Sequence, residues 1–432
     1  MTSLAAPLKS TRLTALIAVC VSPAVVIFVS SNFVNVGNLA FNMLFSRWMG
    51  PALFGDLAVI MTIKLGVLGL LGALQMAVSQ MVAARGTISG DTTQAALARI
   101  NMLVFGALFL ALPLIAAAIW ASSLGARLDL GSPWLLYIML GSIPFCAPLN
   151  ILRGVALGRI DSGKMVLSAN VEMAVRLGFG ALAWVAGLGI EGVVAAIGLS
   201  IIAGWAVLTG LLAPISTDRV ALRPVAATLG LTALPYALLQ LAQIVSLDGD
   251  IFLASRFLGN AETGLVAALS LFQRIQFFAC YGLAAVLLPA VITALRNKQS
   301  YMASVWPILA LLGAVSVTVL GLTTLIPETM ISLAVGPDYA AAAPHLKVVA
   351  AISVLFTVNY LIATFLMALG DRMGILAVMA TAIVQTGLMV WTLLPGTADL
   401  AAMLDVKLIC QPVLLLILLA RTYSAVSLST PR

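Results

Sequence analysis

The chain has 432 residues, of which 62% are hydrophobic and 9% charged, with a mean hydropathy of +1.15 and a formal net charge of +7. Soluble globular domains carry roughly 25% charged residues, so these values exclude a soluble protein and place the chain in a membrane. Its Lys and Arg stand singly between apolar runs rather than in a patch, which excludes a nucleic-acid surface.

Apolar runs with short polar breaks recur along the chain, each long enough for the ~20 residues a helix needs to cross a hydrocarbon core. No strand-like alternation accompanies them, so the spans are helices that satisfy their own backbone hydrogen bonds. The pattern predicts an all-α polytopic membrane protein of about twelve spans. The first six are 13–46, 54–84, 93–120, 134–157, 164–188 and 192–212. After a polar link at 215–224 come 226–257, 263–294, 302–326, 347–369, 375–394 and 400–420. The first two spans of each half exceed a simple crossing, which predicts tilt, kinks or protrusion into water. The first run is too long for the h-region of a cleavable signal peptide.

With the N-terminus cytoplasmic, 14 basic residues, Arg153 and Arg159 among them, fall on the cytoplasmic side. Five fall opposite (Arg47, Arg127, Arg256, Lys347 and Lys407), and Lys64, Arg176 and Arg274 lie within spans. That asymmetry predicts cytoplasmic termini.

The two halves repeat. Ser46-Arg47-Trp48-Met49-Gly50 with Gly55 recurs as Ser255-Arg256-Phe257-Leu258-Gly259 with Gly264, a constant offset of 209. Ala156-Leu157-Gly158-Arg159 and Ala368-Leu369-Gly370-Asp371-Arg372 match at 212, as do Pro23 and Pro235, each expected to kink its span. Span one therefore lies over span seven and four over ten, a parallel six-plus-six repeat with its axis along the membrane normal. The expected domains are two pseudo-symmetric six-helix lobes, 1–218 and 219–432, around a central cavity. Gly50 and Gly259 are expected to stop one helix, and Gly55 and Gly264 to let the next begin close by. Arg47 and Arg256 sit at helix C-termini, where the dipole favours a cation.

Polar groups inside the membrane mark the candidate site. Asn32, Asn35, Asn38 and Asn42 occupy about a third of the circumference of span one at ~100° per residue. Span seven repeats the spacing with Gln240, Gln243, Ser246 and Asp250. Such stripes serve interhelical hydrogen bonds or line a water-filled cavity, and their repetition favours the cavity. Lys64 and Arg274 lie nine and ten residues beyond Gly55 and Gly264, ~14 Å into the membrane. Isolated basic groups at that depth are costly unless they face water or a partner. One per half reads as an anion site, with snorkelling or pairing to a carboxylate such as Asp250 as the alternative. Gly66, Gly69 and Gly72 suit close helix packing on another face of span two. Glu172 and Arg176, four apart in span five, are expected to pair along one helix face, leaving open that Arg176 extends the basic lining. Asp250 and Glu172 are coupling-ion candidates, because burial can raise a carboxyl pKa. Asp248, ~160° from Asp250, is not expected to share its site.

Chemistry has little to stand on. No P-loop or Gly-x-Ser-x-Gly elbow is present, and Cys20, Cys146, Cys280 and Cys410 lie inside apolar spans without metal-ligand spacing. No metal or cofactor is expected, and the cysteines read as packing groups. The one histidine, His345, sits in a ~20-residue external break, 327–346, with no acid or nucleophile near it in sequence, and reads as a surface or interface group. Transport is the remaining class.

Arg47-Trp48-Met49-Gly50-Pro51 with Phe54-Gly55 resembles the junction between the first two helices in the multidrug/oligosaccharidyl-lipid/polysaccharide exporter superfamily, in its polysaccharide flippase branch. Asp250, Gly259 and Gly264 are similar to that branch's seventh-helix pattern, with Asn260 where a Pro is expected. Arg153-Gly154, Glu172, Arg176-Leu177 and Gly187 to Gly192 resemble its fourth-to-sixth helix region. The resemblance implies two six-helix lobes forming a V, with helices one, two, seven and eight lining the cavity. It also implies flipping of a polyprenyl-diphosphate-linked oligosaccharide across a bacterial inner membrane for lipopolysaccharide or exopolysaccharide synthesis. The expected partners are that glycolipid, membrane lipid, and the glycan polymerase or export machinery. The two extra helices of the peptidoglycan-precursor flippase are not found. In this reading Lys64, Arg274 and Arg176 bind the diphosphate, while Asn32, Asn35, Asn38, Asn42, Gln240 and Gln243 meet sugar hydroxyls. A cation-coupled drug antiporter of the same superfamily, and a membrane glycan ligase or polymerase, stay open as alternatives.

Overall fold

The computed structural model describes residues 23–85, 90–159, 161–212, 222–296, 302–368, 371–396 and 399–429. The start of the first expected span with Cys20, part of the link between halves, and Leu369-Gly370 lie outside the described residues.

The described chain is a helical bundle. The first half comprises α1 (Pro23–Arg85), α2 (Gly90–Ala121), α3 (Leu124–Arg127), α4 (Trp134–Leu140), α5 (Ile143–Gly158), α6 (Ser162–Val185) and α7 (Gly189–Ala206). The second comprises α8 (Leu222–Phe257), α9 (Asn260–Arg296), α10 (Met302–Leu325), α11 (Pro327–Ala334), a 3₁₀ segment (Pro337–His345), α12 (Leu346–Ala368), α13 (Met373–Leu393) and α14 (Leu400–Ser429).

Ten described helices are long and apolar enough to cross a membrane. One of them, Val29–Ala83, holds 55 residues, or ~80 Å of helix, against a core of ~30 Å. Gly50 breaks it with φ 69° and ψ 176°, so α1 is two crossings joined by a turn, the second begun by Pro51. A further candidate crossing is the pair α10 and α11, bent by 101° where they meet. Counting both arms of α1 and this bent pair, the described residues reach the twelve expected spans.

Gly259, between α8 and α9, takes φ 92°. Both glycines of the repeat thus adopt the left-handed backbone that lets one helix stop and the next start without a loop. Pro23 begins the described part of α1, and Pro235 is carried inside α8.

The bundle closes most tightly beside these turns. A Cβ on Gly55 would lie 2.5 Å from the Asn260 carbonyl oxygen, and one on Gly264 would strike the Pro51 carbonyl. The two junctions touch through backbone, which only glycine permits. α1 also packs on α5, α6, α8 and α9, α9 on α12, and α13 and α14 on each other. The largest apolar core joins Phe41, Phe45, Phe54 and Leu57 to Ile251, Val266, Phe272 and Tyr339, crossing both halves. Of the glycines in the second arm of α1, Gly69 meets Ile244 closely, whereas Gly66 and Gly72 face open space.

The break at 327–346, expected to be external, is not bare. Residues 327–345 form α11 and the 3₁₀ segment, with Tyr339 fully buried, and His345 is half-buried in its last turn. Cys146, Cys280 and Cys410 are buried, free thiols.

Candidate functional site

A cavity of about 270 Å³ opens between the two arms of α1, α6 and α9. Asn32, Asn35, Asn38, Asn42, Lys64 and Arg176 come from the first half, and Arg274 from the second, with Leu39, Met61, Leu271, Ile275 and Phe278 between them. Exposure falls along the asparagine stripe from Asn32, which is exposed, to Asn42, which is buried. The cavity is therefore blind toward the Gly50 and Gly259 turns and open toward the start of α1. The helical period that sets the four asparagines on one face places all of them on this wall. Gln240 and Gln243 of α8 do not reach it: both are half-buried elsewhere on the second half, and the Gln243 side-chain oxygen has no hydrogen-bond partner.

The ion pairs differ from those expected. Glu172 does not pair with Arg176. Its Oε1 accepts from Lys64 Nζ at 2.9 Å and its Oε2 from Arg153 Nη2 at 2.9 Å. Both of its oxygens are thus occupied by cations from other helices, Lys64 from α1 and Arg153 from α5. Arg153 also donates to Ser168 Oγ at 3.2 Å, so it belongs to the interior of the first half and not to a cytoplasmic loop. Arg176, 6% exposed, has no ion pair among the described residues. Its guanidinium lies over the Phe41 ring, 5.5 Å from the centroid, and its Nε has no hydrogen-bond partner. Cation–π contact offsets part of its desolvation, and Glu172, already held by Lys64 and Arg153, acts on it only from a distance.

In the second half Arg274 pairs with Asp248 rather than Asp250: Nε donates to Oδ1 at 2.8 Å, and Nη2 stands 2.7 Å from the same oxygen. Two nitrogens on one oxygen cannot both be well aligned, and Nη2 keeps a donor without a hydrogen bond. Asp250 faces the other way and pairs with Lys407 of α14. Lys407 Nζ also approaches Gln273 Oε1 at 3.3 Å and Leu247 O at 3.4 Å. The separation of Asp248 and Asp250 around α8 is as their spacing predicts. Lys407, placed on the outer surface by its sequence position, is instead fully buried. Asp250 lies off the cavity wall, held in a structural pair. That pair adjoins an amide network in which Gln411 donates to Gln385 and Asn359 donates to Gln411, which ties α12, α13 and α14 together.

Arg153, Lys407 and these amides went unread as site residues in the sequence. The signal was present: Lys407 lies seven residues inside the last span, ~10 Å deep, where a lone ammonium requires a partner.

No protein-family model matches the sequence, and no curated protein matches it significantly. Solved structures do match in fold. An inward-facing multidrug resistance MATE family transporter of the MOP superfamily superposes with a TM-score of 0.75 at 14% identity, over 94% of this chain and 100% of that one. An outward-facing structure of a MATE family transporter gives 0.69 at 14%, over 95% of each. The lipid II flippase MurJ, in an inward closed conformation, gives 0.70 at 12%, over 92% of this chain and 87% of that one. The chain has the MOP superfamily fold. This agrees with the resemblance carried by Arg47 to Gly55. At such identities the MOP likeness defines architecture alone, and the cavity's own residues must carry any argument about cargo.

Proposed function

We propose that this MOP-fold protein flips a polyprenyl-diphosphate-linked oligosaccharide across the bacterial inner membrane by alternating access of its two six-helix lobes, 1–218 and 219–432. The observation that carries the reading is Arg176, buried on the cavity wall with no carboxylate in direct contact among the described residues. Around it three cations, Lys64, Arg153 and Arg176, share the single carboxylate of Glu172. Across the cavity Arg274 Nη2 holds a second unspent donor, and Asn38 Oδ1 is an unspent acceptor. Unpaired buried donors favour an anion that brings its own acceptors, and guanidinium groups suit phosphate oxygens. The asparagine stripe supplies amides for sugar hydroxyls toward the mouth.

The cavity, of about 270 Å³, has room for many waters rather than one or two. That suits a diphosphate and its first sugar, with the remaining sugars and the lipid tail outside. Lys64, the first choice from depth alone, lines the same cavity but is paired with Glu172. Removing Arg153 and Lys407 from the surface count leaves 13 basic residues against four, which supports cytoplasmic termini and a cavity open to the cytoplasm. A cation-coupled drug antiporter would need an unpaired carboxylate facing the cavity, whereas Glu172, Asp248 and Asp250 each hold a cation.

The test is deletion of the gene followed by lipid extraction. Accumulation of a diphosphate-linked oligosaccharide on the cytoplasmic leaflet is expected, with the glycan identified chemically. Unchanged glycolipid pools together with lost efflux of organic cations would overturn the reading.

A further inference from the structure

The repeated Ser-Arg-x-x-Gly segments do more than turn the chain. Each one grips the connection that follows the third span of the opposite half. In the first segment Arg47 Nη2 donates to Ser332 O at 3.3 Å and to Leu333 O, two carbonyls in the last turn of α11. Helix C-termini leave such carbonyls unsatisfied, and a guanidinium both bonds them and complements the dipole. The neighbouring Ser46 carbonyl accepts from the Tyr339 hydroxyl at 3.2 Å, and the Tyr339 ring meets Phe54 edge-on at 6.0 Å. In the second segment Ser255 Oγ donates to Leu128 O, just past α3 in the connection after α2. That connection is anchored to its own half by Gly131 N, which donates to Asp56 Oδ2 at 3.1 Å.

Ser46 and Ser255 are equivalent across the repeat, and so are the connections they meet. Between the two grips lies the backbone contact of Gly55 with Asn260 and of Gly264 with Pro51. All of this sits at the blind end of the cavity.

We propose that the two segments are reciprocal latches, Arg47 with Tyr339 on one side and Ser255 on the other, which hold the halves together at the blind end and release as a pair when the cavity opens there. The polar bonds of both latches run from a side chain to a backbone carbonyl. Water can take over each bond as it breaks, so the latches close firmly without making opening prohibitive. The proposal rests on the alternating-access reading, but its test does not require the cargo.

The experiment places spin labels on the exposed positions Leu53 and Ala261, on either side of the Gly55–Gly264 contact, in purified full-length protein in lipid nanodiscs. The distance distribution is then measured by pulsed electron resonance. The unlatched protein is the Arg47→Ala, Ser255→Ala double variant. Loss of one latch is expected to shift the ratio of long to short distances roughly five- to tenfold, with the double variant shifting further than either single. Tyr339→Phe, which removes one hydroxyl and keeps the ring, is expected to shift it less. A double variant that is folded, by unchanged elution and thermal unfolding, and yet keeps the parent distribution would overturn the latches. A wrong cargo would instead appear as normal latch behaviour in a protein whose deletion leaves the glycolipid pools unchanged.

Discussion

Glu172 and Lys64, 108 positions apart in sequence, meet at 2.9 Å, while Arg176, one turn from Glu172 on the same helix, is left without a carboxylate. That exchange of partners decides which cation is spent on the fold and which faces the cavity.

Because Glu172 is in direct contact with Lys64 and Arg153, losing Arg176 leaves no carboxylate stranded. Arg176→Gln is expected to lower translocation at least tenfold while shifting thermal unfolding by no more than about 1 kcal/mol. Arg176→Lys should recover only part, since an ammonium cannot reproduce a bidentate fork. Glycolipid flipping in proteoliposomes, with melting curves of the same preparations, would check both halves of the statement.

Glu172 behaves in the opposite way. Glu172→Gln leaves Lys64, Arg153 and Arg176 crowded without an anion and is expected to cost about 3–5 kcal/mol. Adding Lys64→Met should return a substantial part of that loss, because one stranded charge is removed. The pair is measured by a double-mutant cycle in detergent, and additivity would contradict the ion pair.

Asp250 and Lys407 form the buried pair of the second half. Either Asp250→Asn or Lys407→Met alone should destabilise by about 3–5 kcal/mol, and the double replacement by much less, since a buried pair contributes little beyond avoiding an unpaired charge. A pH-driven coupling role for Asp250 would instead appear as loss of transport in Asp250→Asn at undiminished stability.

Gly264→Ala places a methyl group against the Pro51 carbonyl, backbone against backbone. Overpacking of this kind costs about 1–3 kcal/mol and here is expected to push the halves apart at the blind end. Gly66→Ala, in open space on the same bundle, is the control and should not destabilise, with a gain of up to about 1 kcal/mol from helix propensity.

Much of this was legible in the chain because a membrane imposes two strict rules. Each crossing needs its own ~20 apolar residues, which marks the spans, and polar groups within them carry a cost, which marks Asn32 to Asn42, Lys64, Arg176 and Arg274. Helical period alone put the asparagines on one wall, and the glycine repeat alone located the turns at Gly50 and Gly259. Depth and period say nothing, however, about which neighbouring helix stands opposite. Gln240 and Gln243 look equivalent to the asparagines along their helix, yet they are half-buried away from the cavity wall.

The sequence by itself determined the class, the twelve spans and the mid-membrane positions of Lys64, Arg176 and Arg274, because these depend on local composition and on the 1.5 Å rise of a helix. Only the tertiary structure decided how those charges are paired. An ion pair is a relation between helices at 2.7–2.9 Å, and nothing in the spacing of Glu172 and Arg176 reveals that Lys64 and Arg153 arrive from other helices to claim the carboxylate first. The same holds for Ser46-Arg47 and Ser255: their repetition is written in the chain, but the carbonyls they grip belong to segments that only folding brings within reach.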